Sequence, residues 1–231
     1  MNKKSPSDSM TNSISILGCG WLGERIGKTF LKKDWIVQTS SRKEIRLKEL
    51  ANFGFQPFQI DIENTGNIPQ EFFDTDYLII ATTNKNSSAH RNLFKLIQNS
   101  RIRKVFFISS TSVYEKAKNV ITVNTPLVDS PLAEVEKVYL TSKTSCILRC
   151  GGLIGDNRQP GSFFKKGATI KNPDGIVNLI HYEEIILAVN SLIKNDNKQV
   201  IHNLTRESQE SRFEYYSRAY RELHGESGEF I

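Results

Sequence analysis

Gly18, Gly20 and Gly23 stand in the order Gly-Cys-Gly-Trp-Leu-Gly, directly after the apolar residues Ile14, Ile16 and Leu17. This spacing suits a loop that cradles phosphate. The first glycine permits a tight turn, the second lets a pyrophosphate approach the backbone, and the third lets the following helix pack closely on the strand. The N–H groups around Trp21 and Leu22 would then point at the anion, assisted by the helix dipole. Three spaced glycines also suit an ordinary strand-to-helix turn, but the strand before them and the helix after them favour the dinucleotide loop.

A second group stands at the end of the next predicted strand. Sites for NAD usually carry Asp or Glu there, to hold the ribose 2′-hydroxyl. This chain has Ser40, Ser41 and Arg42 instead. A hydroxyl and a guanidinium suit a 2′-phosphate, which a carboxylate would repel. Ser41 and Arg42 therefore predict NADP over NAD, with NAD still possible; the alternative for Arg42 is a solvated surface charge. The three cysteines form no disulfide framework. Cys146 and Cys150 could share a strand face, but two thiols without nearby ligands make a poor metal site. Buried thiols and no metal are expected.

These residues need elements to hold them. A helix is predicted from Leu22 to about Lys33, a strand over Trp35–Thr39 and a helix over Glu44–Phe53 ended by Gly54. Strands follow at Gln56–Ile60, Tyr77–Ala81 and Lys104–Ser109, with a helix over Ser87–Gln98 capped by Ser87 or Ser88. The later half predicts a helix over Pro131–Leu140, a strand over Thr144–Arg149 and a Gly- and Pro-rich loop over Gly151–Gly175. A helix at Glu183–Ile193, a strand at Val200–Leu204 and a helix at Gln209–His224 complete it. Strands alternating with helices imply an α/β chain, a Rossmann-type doubly wound parallel sheet.

The chain has 231 residues, 38% hydrophobic and 24% charged, enough for one α/β domain with a modest appendage. Met1 to Asn12 offer nothing to bury and predict a loose tail. They lack the apolar run of a signal peptide, and the longest apolar stretches have strand length, so a cytoplasmic protein without membrane contact is expected. The net charge of +6 is spread along the chain with acidic residues interleaved. That argues against a nucleic-acid reader, which concentrates its charge.

The run Phe107-Ile108-Ser109-Ser110-Thr111-Ser112-Val113-Tyr114, with the glycine loop and Asp61-Ile62, resembles the extended short-chain dehydrogenase/reductases, the NAD-dependent epimerase/dehydratase family. Ile147 to Gly155 looks like that family's sixth-strand signature, and Asn178 to Glu184 like the segment opening its C-terminal helix. The resemblance covers roughly residues 13 to 224. It implies a single NAD(P)-binding domain with a small substrate lobe built from about 151–175 and 205–231. It sets Asp61, Ile62, Ala81, Thr82 and Thr83 around the cofactor, and a small-molecule substrate beside it. Ser110 matches the catalytic Ser/Thr; otherwise Ser109 to Ser112 tie up backbone groups at the strand end. Tyr114 matches a position that is mostly structural.

The family's chemistry also needs a Tyr and a Lys four residues apart, at the start of the helix after strand five, as proton donor and its activator. They should fall near Pro126 to Leu132, where neither type occurs. Tyr139 and Lys143 have the spacing but come too near Arg149, at the far end of that helix. His181, opening a helix, is expected to make a structural hydrogen bond rather than reach the substrate. Two functions stay open: an NADP-dependent oxidoreductase or epimerase-like enzyme using Ser110, or a sensor that binds NADP(H) without turnover.

Overall fold

The computed structural model describes residues 12–115, 120–195 and 200–231. The expected tail therefore lies outside the described residues except for Asn12. The chain divides into two compact units. The first runs to Ile108 and resumes over Asp129–Ile147; the second comprises Ser109–Val128 and Leu148–Ile231.

The first unit alternates β1 (Ser13–Leu17), α1 (Trp21–Leu31), β2 (Ile36–Ser41), α2 (Glu44–Asn52), β3 (Gln56–Gln59), β4 (Tyr77–Ile80), α3 (Ser87–Gln98) and the part of β5 (Lys104–Ser110) up to Ile108. It adds α4 (Pro131–Tyr139) and the start of β6 (Ser145–Cys150). The second contains β7 (Gly152–Ile154), β8 (Leu179–His181), α5 (Tyr182–Lys194), β9 (Ile201–Leu204) and α6 (Arg212–His224). One sheet has the order β3-β2-β1-β4-β5-β6-β9, with parallel pairing from β3 through β5. This is a Rossmann-type α/β fold. The strand order reverses beside β1, and the crevice beyond the strand ends at such a switch point is where ligands of doubly wound sheets bind.

Burial explains the order. Every residue of β1 and β4 is buried, as for central parallel strands covered on both faces. Leu22, Ile26 and Phe30 make the buried stripe of α1. The helix over Ser87–Gln98 forms as predicted, but its cap is Asn86, not Ser87 or Ser88. The Asn86 Oδ1 accepts from the N–H groups of Ser88 (3.0 Å) and Ala89 (3.3 Å). In the second unit, Ile170, Val177, Leu179 and Tyr216 form a core. β7 and β8 pair in parallel there, inside and beyond the predicted Gly151–Gly175 loop.

Candidate functional site

The turn after β1 shows what each glycine does. Gly18 has φ +85°, and a Cβ on it would lie 2.9 Å from the backbone of Thr82. Glycine is thus required twice over, by conformation and by the approach of the segment after β4. A Cβ on Gly23 would lie 3.0 Å from Ile16 Cγ2, so this position sets how closely α1 packs on β1. At Gly20 a Cβ would meet nothing within 4 Å. The space over Gly20 is open, and Gly20 is also the cap of α1, without a side chain to satisfy its first turn. α3 and α4 differ: side chains of Asn86 and Ser130 cap them. Trp21, Leu22 and Gly23 form that uncapped first turn; none of the three lines the cleft described next.

The loop faces a cleft of about 680 Å³, within the range of small-molecule and cofactor sites. Its walls bring together Gly18, Gly20, Ser41, Arg42, Asp61, Ile62, Ala81, Thr82 and Thr83 from distant parts of the sequence. Ser40, which the sequence set beside Ser41 and Arg42, lines it too; Cys19, Lys43, Ile45, Arg46, Glu49 and Asn84 also do, and sequence reasoning missed these six. Ser40 anchors the turn: its hydroxyl accepts from the Gly18 N–H (2.9 Å) and its carbonyl from the Cys19 N–H (2.8 Å). Cys19 is buried, and desolvation pushes its thiol up to about 12, which favours the protonated thiol over the reactive thiolate.

The charges around the cleft are sorted into paired and unpaired. Arg46 reaches Glu24 on α1 (2.5 Å) and Glu49 (2.8 Å), and Lys28 also reaches Glu24 (2.5 Å). Partial burial works against the Glu24 charge, but hydrogen bonds from Arg46 and Lys28 outweigh it and hold its carboxyl below the usual value. Glu24 stays ionised with its charge answered, and Arg46 is committed to it. Arg42 and Lys43 are exposed on the rim, and neither makes an ion pair among the described residues. Ser41 accepts from the Lys43 N–H at 3.1 Å. Asp61 accepts from the Glu63 N–H at 3.1 Å, opening a short 3-10 turn.

The tyrosines stand as follows. Tyr139 is the last residue of α4 and is fully buried. Its ring stacks on Phe107 at 4.9 Å, its hydroxyl lies 2.6 Å from His90 Nδ1, and burial raises its pKa. Lys143 is exposed beyond the helix. The pair is a core tyrosine and a surface lysine, as its position at the far helix end predicts. A second Tyr-x-x-x-Lys, Tyr114 to Lys118, escaped the sequence reading; Lys118 lies outside the described residues. Tyr114 is buried, donating to Asn203 Oδ1 (2.6 Å) and accepting from Arg149 (2.8 Å). The first turns of α4, from Pro131 to Glu136, hold neither a tyrosine nor a lysine.

Ser110 ends β5 in the second unit, and its hydroxyl accepts from the Ser112 N–H at 3.1 Å, capping a short turn. Thr111 accepts from Asn178 Nδ2 at 2.9 Å. This unit has a smaller cavity of about 180 Å³, with Ile154, Leu179, His181, Arg206 and Tyr215 in its wall. His181 caps α5, its Nδ1 accepting from the Glu183 N–H at 3.3 Å, which is the structural role expected of it. Cys146 and Cys150 are buried free thiols, and no group of three metal-ligating side chains occurs among the described residues. No helix among the described residues is long and apolar enough to cross a membrane.

No protein-family model matches the chain. It is 26% identical over 238 residues to Protein YeeZ of Escherichia coli (strain K12), covering 94% of this chain and 86% of that one. Among solved structures it resembles a conserved protein of unknown function from Silicibacter pomeroyi, with a TM-score of 0.80 at 19% identity, covering 95% and 81% of the two chains. It also resembles the UDP-glucuronic acid 4-epimerase of Bacillus cereus, solved with UDP-glucuronic acid and NAD (TM-score 0.77, 15% identity, 95% and 85% covered). The dTDP-glucose 4,6-dehydratase of Bacillus anthracis, solved with NAD, is similar as well (TM-score 0.78, 13% identity, 96% and 84% covered). What the chain shares with these structures is the fold, a Rossmann-type sheet of the kind built by NAD-dependent epimerases and dehydratases.

Proposed function

We propose that the chain binds NADP(H) in the cleft of its first unit and acts as an oxidoreductase or epimerase-like enzyme on a small molecule. One observation carries the cofactor reading. The helix that starts at the glycine loop has no side-chain cap, and the space over its capping glycine is open to a cleft of about 680 Å³. A pyrophosphate there would supply the hydrogen-bond acceptors that the Asn86 and Ser130 side chains supply to α3 and α4. Ser41, Arg42 and Lys43 would meet a 2′-phosphate, and Asp61, Ile62 and Ala81 to Thr83 the rest of the dinucleotide. The cofactor, when bound, supplies hydride chemistry; the chain would supply binding and orientation. Ser110 would polarise the substrate if its hydroxyl turned from the Ser112 amide. A nucleotide-linked or other small substrate suits the bound ligands of the B. cereus epimerase.

The second reading, a sensor that binds NADP(H) without turnover, is favoured by Tyr139. Of the two tyrosines with the spacing for a Tyr-x-x-x-Lys pair, Tyr139 is sealed in the core. Thermal unfolding with NADPH, NADH and no ligand tests the shared premise, because a ligand of the folded state raises its stability. NADPH is expected to give the larger shift, and Arg42→Ala to shrink that difference. A shift with neither dinucleotide sinks both readings. Ser110→Ala, assayed against a panel of carbonyl compounds, then separates enzyme from sensor.

A further inference from the structure

The segment from Thr82 to Asn86 lines the cleft through Thr82, Thr83 and Asn84, yet it belongs to no helix or strand. Its shape is held by side chains, and Asn84 commits all four of its polar groups. Its N–H donates to Thr82 Oγ1 (3.2 Å) and its Oδ1 accepts from the Asn86 N–H (2.7 Å). Its Nδ2 donates to Glu63 Oε1 (2.6 Å), while Asn86 Nδ2 donates to Glu63 Oε2 (2.8 Å). One carboxylate thus ties this segment to the turn that follows Asp61 and Ile62, the neighbouring part of the same cleft.

The fourth group of Asn84, its carbonyl, leads into the core. His90 Nε2 lies 3.0 Å from it and Nδ1 2.6 Å from the Tyr139 hydroxyl. A carbonyl only accepts, so Nε2 carries the proton, and in the neutral ring Nδ1 accepts from Tyr139. Both His90 and Tyr139 are fully buried, against Phe107 and Phe94. The position requires a group that donates at one end and accepts at the other, without a charge. The tyrosine that looks like half of a catalytic pair is thereby given a different task.

We propose that His90, with Tyr139 behind it and Glu63 beside it, positions the Thr82–Asn86 segment so that the cleft is shaped for a dinucleotide before one arrives. This rests on the cofactor reading given above. Rigid, pre-shaped walls lower the ordering cost that binding would otherwise meet. His90 touches no ligand in this scheme; it is a positioning residue.

The test measures amide hydrogen exchange and NADPH affinity on the full chain, in wild type, His90→Phe, His90→Gln and Tyr139→Phe. Glutamine can donate and accept as the neutral imidazole does; phenylalanine can do neither. In His90→Phe, exchange at Asn84, Asn86, Ser88 and Ala89 is expected to quicken about tenfold or more without ligand, while the amides of β1 keep their rates. The NADPH dissociation constant is expected to rise roughly fivefold or more, and His90→Gln to restore both values to within about twofold of wild type. If His90→Phe does not fold, Tyr139→Phe, which removes one hydroxyl, is read in the same way. Wild-type exchange at these amides in His90→Phe overturns the proposal, as does a loosened segment with unchanged NADPH affinity. A loosened segment in a protein whose wild type binds no dinucleotide defeats the cofactor reading and leaves only the positioning of the segment by His90 standing.

Discussion

Gly18 and Gly20 stand two residues apart in one motif and should respond to the same substitution in opposite ways. An alanine at 18 would force a side chain into φ +85° and against the Thr82 backbone at 2.9 Å. The expected cost is about 1–3 kcal/mol of stability, read by urea unfolding. At Gly20 the φ is −84° and a Cβ meets nothing within 4 Å, so Gly20→Ala should cost only the preference for glycine over alanine at a helix N-cap, about 1 kcal/mol or less. It should instead weaken dinucleotide binding, by about tenfold or more if a phosphate group must come within contact of that backbone. Titration of the two variants checks this; full NADPH affinity in Gly20→Ala would remove Gly20 from the site. The glycines were legible because local backbone geometry fixes their type. The roles of Ser40, Arg46 and Asn84 were not, because they arise only where β2, α2 and the segment after β4 approach the loop. Arg46 shows the difference from Arg42 well: both are basic residues following β2, and the approach of Glu24 from α1, with Glu49 one turn along α2, decides which one is neutralised.

Between elements, the buried contact that α3 makes with α4 through His90 and Tyr139 carries a pH dependence. Burial lowers the His90 pKa from 6.5, outweighing the opposing effects of the Asn84 carbonyl and the more distant Glu63. The folded state therefore favours the neutral ring, and below pH 6.5 the unfolded chain takes up a proton that the folded chain resists. Stability is full above 6.5 and declines as pH falls from there toward the lower folded-state value. Urea unfolding of wild type and His90→Gln at intervals from pH 7.5 to 5 should show a decline in wild type that is shallower in the variant; parallel curves would mean His90 does not contribute. The folded Glu24 carboxyl is held below its usual 4.5, so its own contribution is lost as pH falls below 4.5, outside the measured range. The elements themselves were largely visible in the sequence. β1, β4 and β5 are short apolar runs, and the stripe of α1 repeats at helical spacing. β7 and β8 were not visible, since three-residue strands have no period to detect and exist only by pairing Gly152 with Leu179 and Ile154 with His181. The cap of α3 lies one or two residues before the expected Ser87 or Ser88 because Asn86, Ser87 and Ser88 can all cap, and of the three Asn86 is the one also held by Glu63.

For the whole molecule, the location of the cleft and of the tryptophans gives a selective probe. Trp21 and Trp35 are the chain's two tryptophans, and both lie in the first unit, as does every residue lining the cleft. Trp35 packs between Phe30 (4.6 Å) and Tyr77 (5.6 Å), so its emission reports directly on the packing of α1 against the sheet. A ligand present at a hundred times its dissociation constant adds about 2.7 kcal/mol to the stability of whatever it binds. For a chain of this size that corresponds to a rise of roughly 5–10 °C in the unfolding midpoint. Unfolding followed by tryptophan emission should move by that amount with saturating NADP and by less with NAD at the same concentration. Circular dichroism, which also sees α5 and α6 of the second unit, should move with it if the two units unfold together. If they unfold separately, it should split, the unmoved part being that of the second unit. A tryptophan transition that stays in place at saturating NADP, while a circular dichroism transition moves, would put the dinucleotide outside the glycine-loop cleft.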